Sequence, residues 1–183
     1  VLRMRGMRLP DQERALEPIL ALPGLRSVAV DMTGIGLGLY EYTQDHHRSV
    51  TIHGINFSST EPATKRLISE GRDEKARVKV TEAMAVDLLG LYEDGRISHP
   101  CDGEMRDDLR KPERVTTPGG HVSIAAVRSE SGHADHFWSF ALMERARQAG
   151  GCAPAAATPA GRRDPDDILE RGPAAARNRR SFL

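Results

Sequence analysis

The chain has 183 residues, of which 39% are hydrophobic, 4% aromatic and 28% charged, with 26 basic and 26 acidic side chains. That length holds one domain with a core plus an appendage. The zero net charge excludes a global basic field for nucleic acid, although a local basic groove stays open on a neutral protein.

Two cysteines, Cys101 and Cys152, lie far apart without C-x-x-C spacing and read as free thiols of a reducing compartment. No apolar run reaches membrane-spanning length and no signal peptide precedes the first helix, so the expected location is the cytoplasm. The first residue is Val rather than Met. The expectation is a fragment, or an alternative start codon translated literally.

Val1 to Leu9 reads as an edge strand. Pro10-Asp11 starts a helix with Leu16, Ile19 and Leu20 as apolar positions up to Leu22, and Pro18 implies a kink or an early end. Pro23-Gly24 closes that unit. Val28 to Asp31 then has the β-branched character of a buried central strand. It ends in a carboxylate, Asp31, and an ionised Asp is rarely buried without a partner. Gly34, Gly36 and Gly38 follow, and a helix is predicted from Gly36 to Asp45. Ser49 to Ile55 alternates as a second strand, parallel to the first because a helix separates them.

Ser58-Ser59-Thr60-Glu61-Pro62 reads as the start of a helix reaching Glu70. Gly71 to Lys79 is charged and reads as exposed. From Thr81, the apolar spacing of Met84, Leu88, Leu91 and Tyr92 gives an amphipathic helix stopped by Asp94-Gly95. A short strand is predicted at Ile97 to Pro100, and a charged helix or turn at Met105 to Lys111. Glu113 to Thr117 and His121 to Val127, joined by Pro118-Gly119-Gly120, form a predicted β-hairpin. A last helix runs from His133 to Arg147, with Phe137, Trp138, Ala141 and Leu142 as its core residues. Residues 1–149 form the expected domain. The Ala/Pro/Gly/Arg-rich 150–183 reads as a disordered tail with a short helix near Asp166 to Arg171.

The glycines give G-x-G-x-G, whereas the dinucleotide fingerprint needs G-x-G-x-x-G, and Leu39 fills the third position. Asp31 would also repel a pyrophosphate, so close helix–strand packing explains the glycines better. His99, Cys101, His133 and His136 match no zinc-ligand spacing. What remains is a pair of carboxylates, Asp31 at a strand end and Asp135 at a helix start. Alone, Asp135 suits the helix dipole. Together the two suit a hard Mg²⁺ ion, which takes carboxylates converging from separate elements.

Asp31-Met32-Thr33-Gly34-Ile35-Gly36, with Gly132-His133-Ala134-Asp135-His136-Phe137-Trp138-Ser139-Phe140-Ala141-Leu142 further on, resembles the C-terminal nuclease domain of phage terminase large subunits, in particular the Mu-like prophage branch. The resemblance covers Val1 to Arg147. It implies an α/β chain with an RNase H-like mixed sheet flanked by helices, and cleavage of double-stranded DNA during genome packaging in a bacterial host carrying phage or prophage. It also implies two Mg²⁺ or Mn²⁺ ions, Asp31 and Asp135 as metal-binding catalytic carboxylates, and His133 as a nearby supporting group. The implied partners are DNA, a portal and a small terminase subunit, with no membrane. The family's earlier carboxylate lies on the first strand of its fold, and Val1 to Met7 looks like the strand after it. The packaging ATPase that normally precedes the nuclease is missing here, with no G-x-x-x-x-G-K-[ST]. Besides the nuclease, two classes stay open: a non-catalytic remnant that binds DNA or packaging partners, and a nucleotide-binding α/β enzyme.

Overall fold

In a computed structural model of the chain, residues 4, 6–116, 122–126 and 134–150 are described. The order of elements is α1 (Leu9–Leu20), β1 (Ser27–Asp31), α2 (Gly36–His46), β2 (Thr51–Ile55), β3 (Thr60–Pro62), α3 (Lys65–Ser69), β4 (Arg77–Lys79), α4 (Val80–Glu93), α5 (Gly103–Leu109), β5 (Pro112–Thr116), β6 (Val122–Ala126) and α6 (Asp135–Ala149). The fold is mixed α/β. The described strands form three two-stranded sheets, β1–β2, β3–β4 and β5–β6, rather than one mixed sheet.

β1 and β2 pair in parallel, in the register Ser27↔Thr51 through Asp31↔Ile55. Residue alternation assigns their faces. Val28, Val30 and Ile52 pack with Leu16, Leu20 and Tyr40 on the side of α1 and α2. Ser27 faces the other way, because its hydroxyl donates to the Ala146 carbonyl of α6 at 2.9 Å. Ala29 and Asp31 share that face by the two-residue period.

α4 is the hub of the core. Its predicted stripe of Met84, Leu88 and Leu91 is buried with Val80 and Ala141, and Ile55, Phe57, Tyr92 and Trp138 pack around it. The helix is covered more widely than one amphipathic face requires, since Ala83 and Val86 pack on Leu67 and Val78 in a second cluster. No helix among the described residues is long and apolar enough to cross a membrane.

Several expectations need correction. The described residues between Met4 and Arg8 form no strand; Gly6 is left-handed (φ 73°) and Met7 N–H bonds back to Met4. α1 ends at Leu20, short of Leu22, which is the early end that Pro18 implies. β1 is half-buried along its length rather than fully buried, with β2 as its one described neighbour. The helix expected from Ser58 is a strand first. Thr60 to Pro62 pairs antiparallel with Lys79 to Arg77, and Pro62, which has no N–H to give, is tolerated at such an edge. The helix begins only at Lys65, where the Thr64 hydroxyl accepts the Leu67 N–H. The stretch taken as exposed contains Val78, buried against α3 and α4. Ile97 to Pro100 is irregular rather than a strand.

α2, the parallel β1–β2 pair and the β5–β6 hairpin stand where expected. His133, the hairpin turn at 118–120 and the tail beyond Gly150 lie outside the described residues.

Candidate functional site

Asp31 is the last residue of β1, and its surroundings are built by the residues that follow it. The Thr33 backbone N–H donates to Asp31 Oδ1 at 2.9 Å, an Asx turn that fixes the carboxylate over its own loop. The Thr33 hydroxyl accepts the Phe57 N–H at 3.0 Å, and Met32 N–H reaches the Ile55 carbonyl at 3.0 Å. The loops leaving β1 and β2 are thereby tied together at one end of the sheet.

The glycines serve this turn. Gly34 takes a left-handed conformation (φ 61°), which costs a side chain energy and costs glycine none. At Gly36 a Cβ would stand 1.9 Å from the Asp31 carbonyl oxygen, so α2 can rise directly behind the carboxylate only if position 36 has no side chain. A Cβ at Gly38 would touch the Leu9 side chain at 3.1 Å. All three are accounted for by backbone conformation and close packing.

Asp135 opens α6 and is exposed. α6 runs antiparallel to β1. Its C-terminal part meets the start of the strand through Ser27 and Ala146, while near its start the Trp138 ring lies 5.2 Å from that of Phe57, just past the end of β2. From Ala146 back to Asp135 the helix spans about 17 Å at ~1.5 Å per residue. From Ser27 to Asp31 the strand spans about 13 Å at ~3.3 Å per residue. The two carboxylates therefore lie at the same end of the β1–α6 layer, with Asp31 on the α6 side of the sheet. His133 lies outside the described residues.

The donor chemistry fits a hard divalent cation. Asp31 keeps one carboxylate oxygen beyond the one that Thr33 engages, and the Asp135 carboxylate bonds to no other described residue. Among the described residues no group of three His, Cys, Asp or Glu side chains stands together as a metal cage. Of the dismissed zinc candidates, Cys101 is exposed and free, the His99 ring nitrogen Nδ1 lies 2.9 Å from the Pro100 carbonyl oxygen, and His136 is held elsewhere.

What holds His136 is Asp108, a residue the sequence did not single out. Asp108 is 4% exposed and sits in the last turn of α5. Its Oδ2 accepts the His136 backbone N–H at 2.7 Å and lies 3.2 Å from the ring Nδ1, while Oδ1 accepts from Lys111 Nζ at 2.8 Å. Burial works to raise its pKa, but the hydrogen bonds from Lys111 and His136 outweigh burial, and the net shift is downward. Its partner lies 28 residues away, so no local pattern announces it.

A second buried acid, Glu144 in α6, is gripped by Arg147 through two bonds of 2.6 and 2.7 Å and by Gln148 at 2.9 Å. These bonds overcome its burial and lower its pKa. A third, Glu82, pairs with Arg72.

Comparison with protein-family models, with curated proteins and with solved structures returns no match.

Proposed function

We propose that this chain carries a metal-dependent endonuclease domain of the phage-terminase type, RNase H-like in fold and acting on double-stranded DNA, with Asp31 and Asp135 as ligands for Mg²⁺ or Mn²⁺. One observation carries the reading. α6 packs antiparallel on β1, so Asp31 and Asp135 come to the same end and the same side of the sheet from elements far apart in sequence.

When bound, such ions activate water and stabilise the leaving oxygen of a phosphodiester. The chain's own residues hold the site in place. Thr33 orients the Asp31 carboxylate through its N–H and ties the loop to Phe57 through its hydroxyl. Phe57 and Trp138 join that loop to the first turns of α6. By the same resemblance His133 would support Asp135, and a portal and a small terminase subunit would be the protein partners.

The test is calorimetric titration of Mn²⁺ into the metal-free chain, together with a plasmid-nicking assay in Mg²⁺ or Mn²⁺. Saturable binding and metal-dependent nicking are expected, both lost in Asp31→Asn and in Asp135→Asn. Binding without nicking would keep the metal site and remove the enzyme. Nicking that persists in both variants would assign the activity elsewhere.

A further inference from the structure

The start of α6 is built unusually, and Asp135 lies in it. Its N-cap residue is Ala134, which has no side-chain acceptor and sits in the left-handed region (φ 63°, ψ 40°) with 0% exposure. It is the one non-glycine residue with positive φ among the described residues. An L-residue held there is strained, and such strain persists only where the surroundings enforce it.

A helix start also leaves backbone N–H groups unsatisfied and carries partial positive charge. Here one of those N–H groups and the charge are met from another element. Asp108 of α5 accepts the His136 N–H and brings a buried negative charge to the helix end, with Lys111 closing its other oxygen.

We propose that Asp108 is the positioning residue of the candidate metal site: from α5 it clamps the first turn of α6 through the His136 N–H, and so fixes where Asp135 stands relative to Asp31. The inference rests on the functional reading above. Both carboxylate oxygens of Asp108 are engaged by protein donors, Lys111 and the His136 N–H. Its bond is made one residue past Asp135, in the turn that the left-handed Ala134 opens.

The test uses the full chain with Asp108→Ala, Asp108→Asn and Asp108→Glu, each checked for folding by circular dichroism. Mn²⁺ affinity is measured by calorimetry, and amide hydrogen exchange is followed over 136–138. Removing the acceptor should weaken Mn²⁺ binding about tenfold, the lower end for loss of a group that orients a metal ligand, and should deprotect that turn. Asp108→Asn keeps an oxygen for the N–H and should restore both, even where its melting temperature falls. Asp108→Glu keeps the charge but moves the carboxylate by one methylene; it should weaken binding several-fold, which also covers an Ala variant that fails to fold. Parent-like affinity in every folded variant would overturn the positioning role while leaving the metal site standing. A parent chain that binds no Mn²⁺ would overturn the site, and the role with it.

Discussion

A Cβ at position 36 would overlap the carbonyl oxygen of Asp31 at 1.9 Å, so Gly36 is the residue that lets α2 start against the end of β1. The obstacle is backbone and cannot swing aside. Gly36→Ala should therefore cost about 3 kcal/mol, at the upper end for overpacking. Gly34→Ala meets nothing within 4 Å but must hold φ 61°, and should cost roughly 1–2 kcal/mol. Gly38→Ala meets only the tip of Leu9 and should cost less than either. Urea unfolding of the three variants checks the order 36, 34, 38; a variant at 38 less stable than one at 36 would show that the contact with Asp31 does not govern the turn.

The alternation of that glycine run was plain in the sequence, and so was the parallel pair around it, because β-branched periodicity, glycine and a separating helix are all local signals. The Met84, Leu88, Leu91 stripe was equally legible, and it names the hub of the core. What failed to appear locally were features completed by distant residues. Thr60 to Pro62 looks like a helix start until Arg77 to Lys79 pairs with it. Asp108 looks like one more acid in a charged segment until it meets His136. Asp31 and Asp135 could be picked out as carboxylates at element ends. Their placement on one side of the sheet depends on the Ser27–Ala146 bond, which no spacing foretells.

Adjacent leucines of α4 offer a direct test of that hub. Leu88 is 0% exposed and Leu89 is 52% exposed, so the same truncation should have unequal effects. Leu88→Ala should destabilise by about 2–5 kcal/mol, the range for emptying a well-packed site. Leu89→Ala should stay within about 0.5 kcal/mol, as surface changes do. Thermal and urea midpoints decide it, and similar losses at both positions would place α4 outside the core.

Ala134 combines left-handed backbone with complete burial, which makes two substitutions diverge. Ala134→Gly relieves strain of roughly 1–2 kcal/mol and gives up about 0.8 kcal/mol of buried methyl, so stability should change by no more than about 1 kcal/mol. Ala134→Val adds two methyl groups where nothing is open and places a β-branched residue at positive φ, and should cost about 3 kcal/mol. A glycine variant as damaging as the valine variant would mean that φ at 134 is not what limits the position.

The two buried carboxylates whose pKa values are lowered should make the stability depend on pH. Burial opposes the ionised form of both Asp108 and Glu144, but bonds from Lys111 and His136 in one case, and from Arg147 and Gln148 in the other, overcome it. With folded values below the unfolded ones, each contributes stability that is complete above about pH 5 and fades as pH falls through the carboxylate range near 4 and below. At pH 7, Glu144→Gln should lose about 1–3 kcal/mol, because the two bonds from Arg147 then meet a neutral amide instead of a carboxylate. The gap between parent and variant should narrow as pH falls below the ordinary carboxylate range, as the parent's Glu144 takes up its proton too. Asp108→Asn should behave the same way, because Lys111 Nζ then donates to a neutral amide oxygen instead of a carboxylate. Urea midpoints at pH 7, 5, 4 and 3 in metal-free buffer measure the gap. If it stays constant across that range, the two carboxylates act through packing alone and their ionisation adds nothing to the stability of α6.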